Sequence, residues 1–216
     1  MTKKEILDYV MYTPYNVNRQ ILCLMLSSYE EELTGGDINK IIDKSIVQIT
    51  NDVENIGEGV FENCDSLESA NFPEVLIIGS YSFNGCTNLK NINFPKAIYI
   101  GSYAFSECGF SEADFPKIKE IDIYSFYKCT NLKKISFSEL TKIGSSSFAY
   151  CPLETLILSS GQVCELSDIG AFAETPIFNG NGFIYVPSNL IESYKSSPNW
   201  TVLSDSFKPL EDYTEN

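Results

Sequence analysis

The sequence of 216 residues contains no histidine. Histidine is the commonest general base and a frequent metal ligand, so its absence excludes Ser/His and Cys/His nucleophile pairs and imidazole metal sites. The chain also lacks a Cys-x-x-Cys pair for zinc, the carboxylate spacing of a calcium loop and a glycine-rich phosphate loop. We therefore predict no catalytic residue, no cofactor and no metal, and a protein that is not an enzyme.

Basic residues and long apolar runs are also scarce. The chain has 15 Lys and Arg residues against 29 Asp and Glu residues, and its formal charge of −14 argues against a nucleic-acid partner, which needs a basic surface. The longest wholly apolar run, Ile21–Leu26, is too short to span a bilayer, so we expect no membrane span. Glu5 and Asp8 interrupt the N-terminal stretch, so no signal peptide is readable. The location therefore stays open between the cytoplasm, the cell surface and a phage particle.

The chain instead contains an internal repeat. An isoleucine recurs at steps of 22, 22, 21, 22 and 26 residues, and the first five isoleucines are each followed by a phenylalanine and then a cysteine at constant spacing. These columns are Ile56, Ile78, Ile100, Ile121, Ile143 and Ile169; Phe61, Phe83, Phe105, Phe126 and Phe148; and Cys64, Cys86, Cys108, Cys129 and Cys151. A fixed period of this size is typical of a solenoid, in which each coil covers the core of its neighbour.

Each repeat divides into two halves. In the first half, alternation predicts a short strand with Ile92 and Phe94 inside and Asn91 and Asn93 outside, ended by a proline that cannot donate to a ladder. The second half, Ile-Gly-x-x-x-Phe-x-x-Cys, predicts a flexible turn at the glycine. It also predicts a helical turn that directs the phenylalanine and the cysteine inward.

The combined pattern Ile-Gly-x-x-Ala-Phe-x-x-Cys-x-x-Leu-x-x-Ile-x-Phe-Pro, nearly literal at 100–108 and 89–95, resembles the BspA-type leucine-rich repeat. The resemblance covers residues 41–187. It implies an α/β repeat solenoid, a right-handed leucine-rich-repeat superhelix with a parallel sheet along one face. Members of that family are mostly bacterial or protozoan surface proteins that bind other proteins, and none of its general motifs is catalytic. This chain departs from the pattern in a turn one residue shorter after Cys108 and Cys151, and in the insertion Gly161–Asp168.

The chain divides into three predicted segments: an N-terminal helical segment (1–36), the solenoid with a degenerate first coil (37–187), and a C-terminal cap and tail (188–216). Apolar stripes predict two short N-terminal helices. These helices either cap the solenoid or form a docking or oligomerisation element. Both ends of the chain are similar to the flanks of leucine-rich-repeat proteins encoded in gut-bacterial prophages.

Further elements are predicted at the two ends of the solenoid. The expected elements are a first strand at Ser45–Thr50, a last strand at Phe183–Val186, a short capping helix at Ser188–Ser196, an anchor at Trp200 and a loose tail after Pro209.

Seven cysteines invite a search for reactive thiols or disulfides. The five in the repeat column have equivalent neighbours on both sides, and cysteine packs well as a small apolar residue. We therefore expect buried free thiols in the column. Cys23 and Cys164 lie outside it and are the candidates for reactivity.

Two surfaces are candidates for binding. One is the outward face of the strands, where the candidate residues are Asn91, Asn93, Glu112, Asp114, Lys134 and Ser136. The other is a tyrosine column, Tyr81, Tyr103 and Tyr124, three residues after the repeat isoleucine. Tyrosine is favoured at interfaces, but the rings could equally stack on one another and seal the coil edges. The strand face could likewise be merely solvated.

These observations favour a non-enzymatic, adhesin-like binding module that presents its repeat surface to a protein or to a surface glycan. An alternative of another class is a structural or accessory component of a phage or cell-surface assembly, docked through residues 1–36.

Overall fold

Each repeat forms one coil of a solenoid that carries two lines of short parallel strands. The computed structural model describes residues 46–48, 54–65 and 67–214. The first strand line contains β1 (Ile46–Gln48), β3 (Ser69–Asn71), β5 (Asn91–Asn93), β7 (Glu112–Phe115), β9 (Lys134–Phe137), β11 (Thr155–Leu158), β13 (Phe183–Val186) and β14 (Phe207–Pro209). The second line contains β2 (Asn55–Ile56), β4 (Ile77–Ile78), β6 (Tyr99–Ile100), β8 (Glu120–Ile121), β10 (Lys142–Ile143) and β12 (Glu165–Leu166).

The two strand lines confirm the solenoid and extend the prediction of a single sheet. The second line pairs without interruption as one six-stranded sheet. The first line is split into a three-stranded sheet, β1-β3-β5, and a five-stranded sheet that runs from β7 to β14. The second line arises because the repeat isoleucine is itself in a two-residue strand with its side chain buried, as at Ile78 and Ile100.

The Phe-x-x-Cys half is a run of turns, so the predicted helical turn is wrong. The Cys86 amide donates to the Phe83 carbonyl at 3.1 Å, a bond across three residues, while the Phe83 amide donates to Ala104 in the next coil at 2.8 Å. Alternate amides thus bond to the neighbouring coil, which a helix would not allow. Residues such as Glu107 and Lys128 have positive φ, 59° and 56°, which reverses the chain at each turn.

Space, and not turn flexibility, explains the repeat glycines. A Cβ at Gly101 would lie 2.6 Å from the Ser80 backbone nitrogen, and one at Gly144 would lie 2.5 Å from the Asp122 carbonyl carbon. Both contacts are with backbone of the preceding coil, which cannot move aside without breaking the ladder. Neither glycine has positive φ, whereas Gly85 does, at 75°.

The core consists of stacked phenylalanines, which confirms the predicted inward column. One continuous stack has successive ring centroids 5.0–5.6 Å apart and comprises Phe61, Phe83, Phe105, Phe126, Phe148 and Phe172. Beside it, the strand phenylalanines pair as Phe72 with Phe94 and as Phe115 with Phe137, at 5.5 and 5.6 Å. Each fully buried ring contributes about 1.5–3 kcal/mol by leaving water, and the contacts are made mainly between coils.

The cysteine column forms a ladder of buried thiols. The Sγ of Cys86, Cys108 and Cys129 donates to the carbonyl of the phenylalanine in the preceding coil at 3.0, 3.1 and 2.9 Å, and Cys151 does the same at 3.0 Å. Burial raises the pKa of the Cys86 thiol to about 12. The prediction of free thiols is confirmed at these four positions.

Two cysteines differ from the expectation. Cys64 is disulfide-bonded, so the prediction of a free thiol at this column position is wrong. Cys164 is a free thiol but fully buried, and burial raises its pKa, so the prediction that it is a reactive candidate is also wrong. Cys23 lies outside the described residues.

These assignments predict a specific alkylation pattern. Denatured but unreduced protein treated with iodoacetamide should be modified at Cys86, Cys108, Cys129, Cys151 and Cys164, and not at Cys64. Native protein should resist modification at the same five sites, because a buried protonated thiol is a poor nucleophile. Peptide mass spectrometry reads each site separately, and alkylation of Cys64 without prior reduction would contradict the assignment.

The C-terminal cap closes the last coil. A short 3₁₀ turn, Ser188–Leu190, leads into α1 (Ile191–Ser196), as predicted, and the fully buried Trp200 donates from Nε1 to the Cys164 carbonyl at 2.7 Å. Phe183–Val186 is a strand but not the last, since β14 pairs with it in parallel. The predicted strand Ser45–Thr50 contains β1 (Ile46–Gln48), and its other residues lie outside the described part of the chain, as do the predicted helices within 1–36.

Candidate binding surface

The six predicted strand-face residues lie in two outward columns of the first strand line. Asn91 and Asn93 are exposed on β5, and Glu112 and Asp114 are exposed on β7. Lys134 and Ser136 on β9 are half-buried. In the register of the sheet, Glu112 pairs with Lys134 and Asp114 with Ser136. Side chains follow that register, because the Lys134 Nζ lies 3.9 Å from a Glu112 carboxylate oxygen and the Ser136 hydroxyl donates to Asp114.

A cleft of about 610 Å³ lies on this face. It includes the interruption of the first strand line between β5 and β7 and extends across β9 to Ile157 on β11. This cleft contains five of the six predicted residues, and Asn93 lies beside it on β5. The residues that line the cleft are Lys90, Asn91, Ile92, Ser111, Glu112, Ala113, Asp114, Lys134, Ser136 and Ile157. Its size falls within the range of small-molecule and peptide pockets, about 300–1,000 Å³.

The burial of two apolar residues that line the cleft differs from what alternation predicts. Ile92, expected inside, is half-buried and lines the cleft, whereas its counterpart Ile135 on β9 is fully buried. Ile157, expected outside on β11, is only 8% exposed. The missing partner strand beside β5 leaves Ile92 partly exposed at the floor of the cleft, whereas β11, which carries Ile157, is paired on both sides.

We attribute the interruption to the residue that occupies the leucine column. Phe110 stands where the other coils have Leu67, Leu89, Leu132 and Leu153, and it is fully buried, edge-on to Phe105 at 5.8 Å. The turn before it is one residue short. The turn before Leu153 is equally short, yet β9 and β11 pair in full register. The larger ring, and not the shorter turn alone, distinguishes the coil in which pairing fails.

The interruption should be reversible by one substitution. In Phe110→Leu the smaller side chain should let β5 and β7 approach and pair, so the amides of Ile92, Glu112 and Asp114 should exchange about tenfold more slowly, as expected when an open hydrogen bond closes. NMR-detected hydrogen exchange measures each amide, with Ile135, already paired on both sides, as the internal reference. Unchanged exchange at all three amides in a folded variant would exclude Phe110 as the cause.

The C-terminal tail covers part of the same face. After β14 the chain makes a 3₁₀ turn, Leu210–Asp212, and the Tyr213 ring packs edge-on against Tyr185 at 5.0 Å. The Lys134 Nζ lies 5.5 Å from the centroid of the Tyr213 ring. The predicted loose tail is therefore wrong for residues up to Tyr213, and Lys134 connects the tail to the cleft.

The tyrosine column lies outside the core and follows the second strand line. Tyr81, Tyr103 and Tyr124 stack face to face, with ring centroids 4.9 and 4.7 Å apart. Tyr127 and Tyr150, which the sequence did not single out, extend the row edge-on at 5.2 and 5.6 Å. Of the two alternatives for this column, mutual stacking of the rings is thus observed. Because the ring faces of the inner tyrosines contact one another, the row presents mainly ring edges and hydroxyls.

Beside this column the Asp122 carboxylate accepts three hydrogen bonds. Asp122 accepts from the Tyr99 hydroxyl at 3.0 Å, from the Ser102 hydroxyl at 2.8 Å and from the Ile123 amide at 2.7 Å. Burial alone would raise the pKa of Asp122, but these hydrogen bonds and Lys142 outweigh it and lower the pKa. Burial, followed by the bond to Asp122, raises the pKa of Tyr99 to about 12.

The raised pKa of Tyr99 predicts a loss of stability in base. The folded protein keeps Tyr99 protonated between about pH 10 and 12, while the unfolded chain releases this proton near its ordinary value of 10.0. The stabilisation is therefore complete below pH 10 and falls as the pH rises to 12. The free energy of unfolding of wild type minus that of Tyr99→Phe should be constant from pH 7 to 9 and decrease above pH 10. A difference that does not change with pH would contradict the hydrogen-bond assignment.

The chemistry available in the cleft is that of polar recognition. Its side chains are amides, hydroxyls, two ammonium groups and two carboxylates around an apolar floor. Within the described residues, no cluster of three or more cysteine or acidic side chains is arranged to hold a metal ion. In the same part of the chain, no helix is long and apolar enough to cross a membrane.

Comparison with known proteins identifies the repeat. A family model described as BspA type leucine rich repeat region matches in six copies, over residues 43–96 and 54–175, which together span more than half of the chain. A search of curated proteins finds no match. Among solved structures, the chain is similar to the crystal structure of a leucine-rich repeat protein from Bacteroides ovatus at 27% identity and a TM-score of 0.49. That match covers 66% of this chain and 39% of the other, so this chain corresponds to less than half of that protein.

Proposed function

Because this chain belongs to the BspA-type leucine-rich repeat family, we propose that it is a non-enzymatic, adhesin-like binding module whose partner is a protein bound at the cleft between β5 and β7. The family match supports a repeat protein of the interaction type and indicates no catalytic family. The observation that carries the proposal is the cleft itself. It interrupts an otherwise regular ladder at the positions where the outward side chains carry most charge.

The distribution of polar groups favours a protein over a surface glycan. The cleft offers two carboxylates, two ammonium groups and open strand edges around a partly apolar floor, a mixture that suits a polypeptide with its own charges and backbone groups. The aromatic row, the other candidate surface, stacks its inner ring faces on its own members. Glu112, with 69% of its side chain exposed, is more accessible than Lys134, its neighbour in the sheet, at 29%.

A matched pair of charge reversals tests the proposal. Wild-type protein is screened against arrays of surface proteins and surface glycans, and each binder is then measured with Glu112→Lys and with Glu120→Lys. Both residues are exposed and lie on the same coil, but Glu120 is on β8 in the second strand line. We expect protein binders whose affinity falls about tenfold or more with Glu112→Lys and stays unchanged with Glu120→Lys.

Other outcomes reject the proposal or change it. Binders that appear only on the glycan array would make the partner a surface glycan. Absence of any binder, or equal losses in both variants, would remove the cleft as the binding site. The alternative of a phage or cell-surface structural component rests on residues 1–36, outside the described residues, and stays a prediction.

A further inference from the structure

The two walls of the cleft are open strand edges that face each other. In a parallel ladder, alternate residues direct their backbone groups to opposite sides. On β5, the Asn91 amide donates to the backbone carbonyl of Glu68, and the Asn93 carbonyl accepts from the backbone amide of Phe72. These two residues therefore bond to the coil of the preceding strand, β3. The amide and carbonyl of Ile92 therefore point into the cleft.

The opposite wall follows from the same rule. The Lys134 amide donates to the Ser111 carbonyl. In the register of β7 and β9, the backbone groups of Ala113, two residues further on, therefore also point toward β9. Glu112 and Asp114 then direct their amides and carbonyls toward β5. Among the described residues, no backbone hydrogen bond joins β5 to β7. Each wall thus presents unpaired donors and acceptors, which is the arrangement that accepts an additional strand.

The side chains around the edges define which strand would fit. Outward, Glu112 and Asp114 flank the interruption on β7, with the amides Asn91 and Asn93 on the β5 side. Glu112 lies 3.9 Å from the Lys134 Nζ and Asp114 accepts from the Ser136 hydroxyl, both on β9, and Lys90 lies before β5. Inward, between Glu112 and Asp114, lies the small side chain of Ala113, which lines the cleft together with the half-buried Ile92. An inserted strand would place two outward side chains beside the two carboxylates and one inward side chain over the apolar floor.

We propose that the cleft binds an extended peptide segment of a partner protein, which inserts as a strand between β5 and β7. Its sequence alternates a basic, an apolar and a basic residue, the basic side chains beside Glu112 and Asp114 and the apolar one against Ala113. This inference rests on the proposed function and adds the chemistry of the partner. The formal charge of −14 on the chain favours approach of a basic segment.

A five-residue peptide is the appropriate probe, since at about 3.3 Å per residue it spans the four residues of β7. The full chain, labelled with ¹⁵N, is titrated with blocked Val-Lys-Val-Lys-Val. Two control peptides are Val-Glu-Val-Glu-Val and the lysine peptide with an N-methyl group on its central valine. Binding is followed by chemical shift, and hydrogen exchange is measured at the amides of Ile92, Glu112 and Asp114.

Strand insertion makes three joint predictions. The lysine peptide slows exchange at these three amides by about tenfold or more. The glutamate peptide binds at least about tenfold more weakly than the lysine peptide. The N-methylated peptide also binds at least about tenfold more weakly, although its side chains are those of the lysine peptide. The Ile135 amide serves as the unaffected reference, because its strand, β9, is paired with β7 and with β11.

The outcomes separate this inference from the proposed function. Absence of peptide binding, binding without slower exchange at the three amides, or equal binding of the N-methylated peptide overturns strand insertion. A protein binder that still loses affinity with Glu112→Lys would then leave the proposed function intact, with recognition by side chains alone. Failure of the Glu112→Lys comparison itself, whatever the peptides do, rejects the proposed function.

Discussion

Replacing Phe105 by alanine is expected to lower the free energy of unfolding by about 3–5 kcal/mol, the usual cost of a large cavity in a core. Phe105 is fully buried and stacks on Phe83 at 5.2 Å and on Phe126 at 5.6 Å. It also contacts Phe94 and Phe115 at 5.7 and 6.0 Å, and so connects the two halves of the interrupted strand line. Collapse around the cavity would have to shift several coils at once, which keeps the cost high.

The measurement is equilibrium unfolding in urea, with Tyr103→Ala as the matched control. Tyr103 lies two residues away in the same coil and also stacks between two rings, but it is half-buried and outside the core. We expect it to cost about 1–3 kcal/mol, since each of its two stacked aromatic pairs contributes about 0.5–1.5 kcal/mol. Similar losses in the two variants would contradict the conclusion that the inner stack carries the stability.

Gly101→Ala is expected to lower the free energy of unfolding by about 3 kcal/mol or more, at the upper end of overpacking effects. The added Cβ would lie 2.6 Å from the Ser80 nitrogen and 2.9 Å from the Gly79 carbonyl carbon. Both atoms are backbone of the preceding coil, so relief requires coils to separate along the second strand line. The same substitution would leave the φ of the residue within the ordinary range, so the cost reports contact and not backbone strain.

Gly161→Ala is the control for the glycine substitution. A Cβ at Gly161 would meet no atom within 4 Å, and its φ is not positive, so we expect a change within about 0.5 kcal/mol. Thermal unfolding of the two variants beside wild type gives the comparison. Equal stability of Gly101→Ala and wild type would show that the coils are spaced more widely than the structure indicates.

The repeat columns were predictable because they obey a local rule with a nearly constant period. Ile78, Phe83, Cys86 and Phe94 are buried as expected, since each coil has the same neighbours as the one before. The prediction failed where one pattern has two physical explanations. Phe-x-x-Cys spacing fits a helical turn equally well as a run of turns, and only the bonds to the neighbouring coil distinguish them. A regular spacing of glycines likewise fits either a flexible turn in the backbone or close contact with the backbone of the neighbouring coil.

The candidate surface was predictable residue by residue but not as a site. Alternation places Asn91, Glu112 and Asp114 on the outward face, and the structure agrees. We attribute the missing pairing of β5 and β7 to the volume of Phe110 within a packed coil, which no strand pattern contains. The sequence does show a single aromatic residue, Phe110, in the leucine column next to a shortened turn. How far this residue separates the strands of two neighbouring coils cannot be read from the sequence pattern.

The sequence by itself determined the solenoid, the inward columns and the polar character of the strand face, because these follow from periodicity and from the exclusion of apolar side chains from water. The tertiary structure alone decided where the ladder opens, which glycines are in contact with backbone, that Tyr213 covers part of the face and that Cys164 is inert. Each of these depends on how residues about one or more coils apart approach in space. Such approach is set by the packing of the whole stack and not by any local pattern.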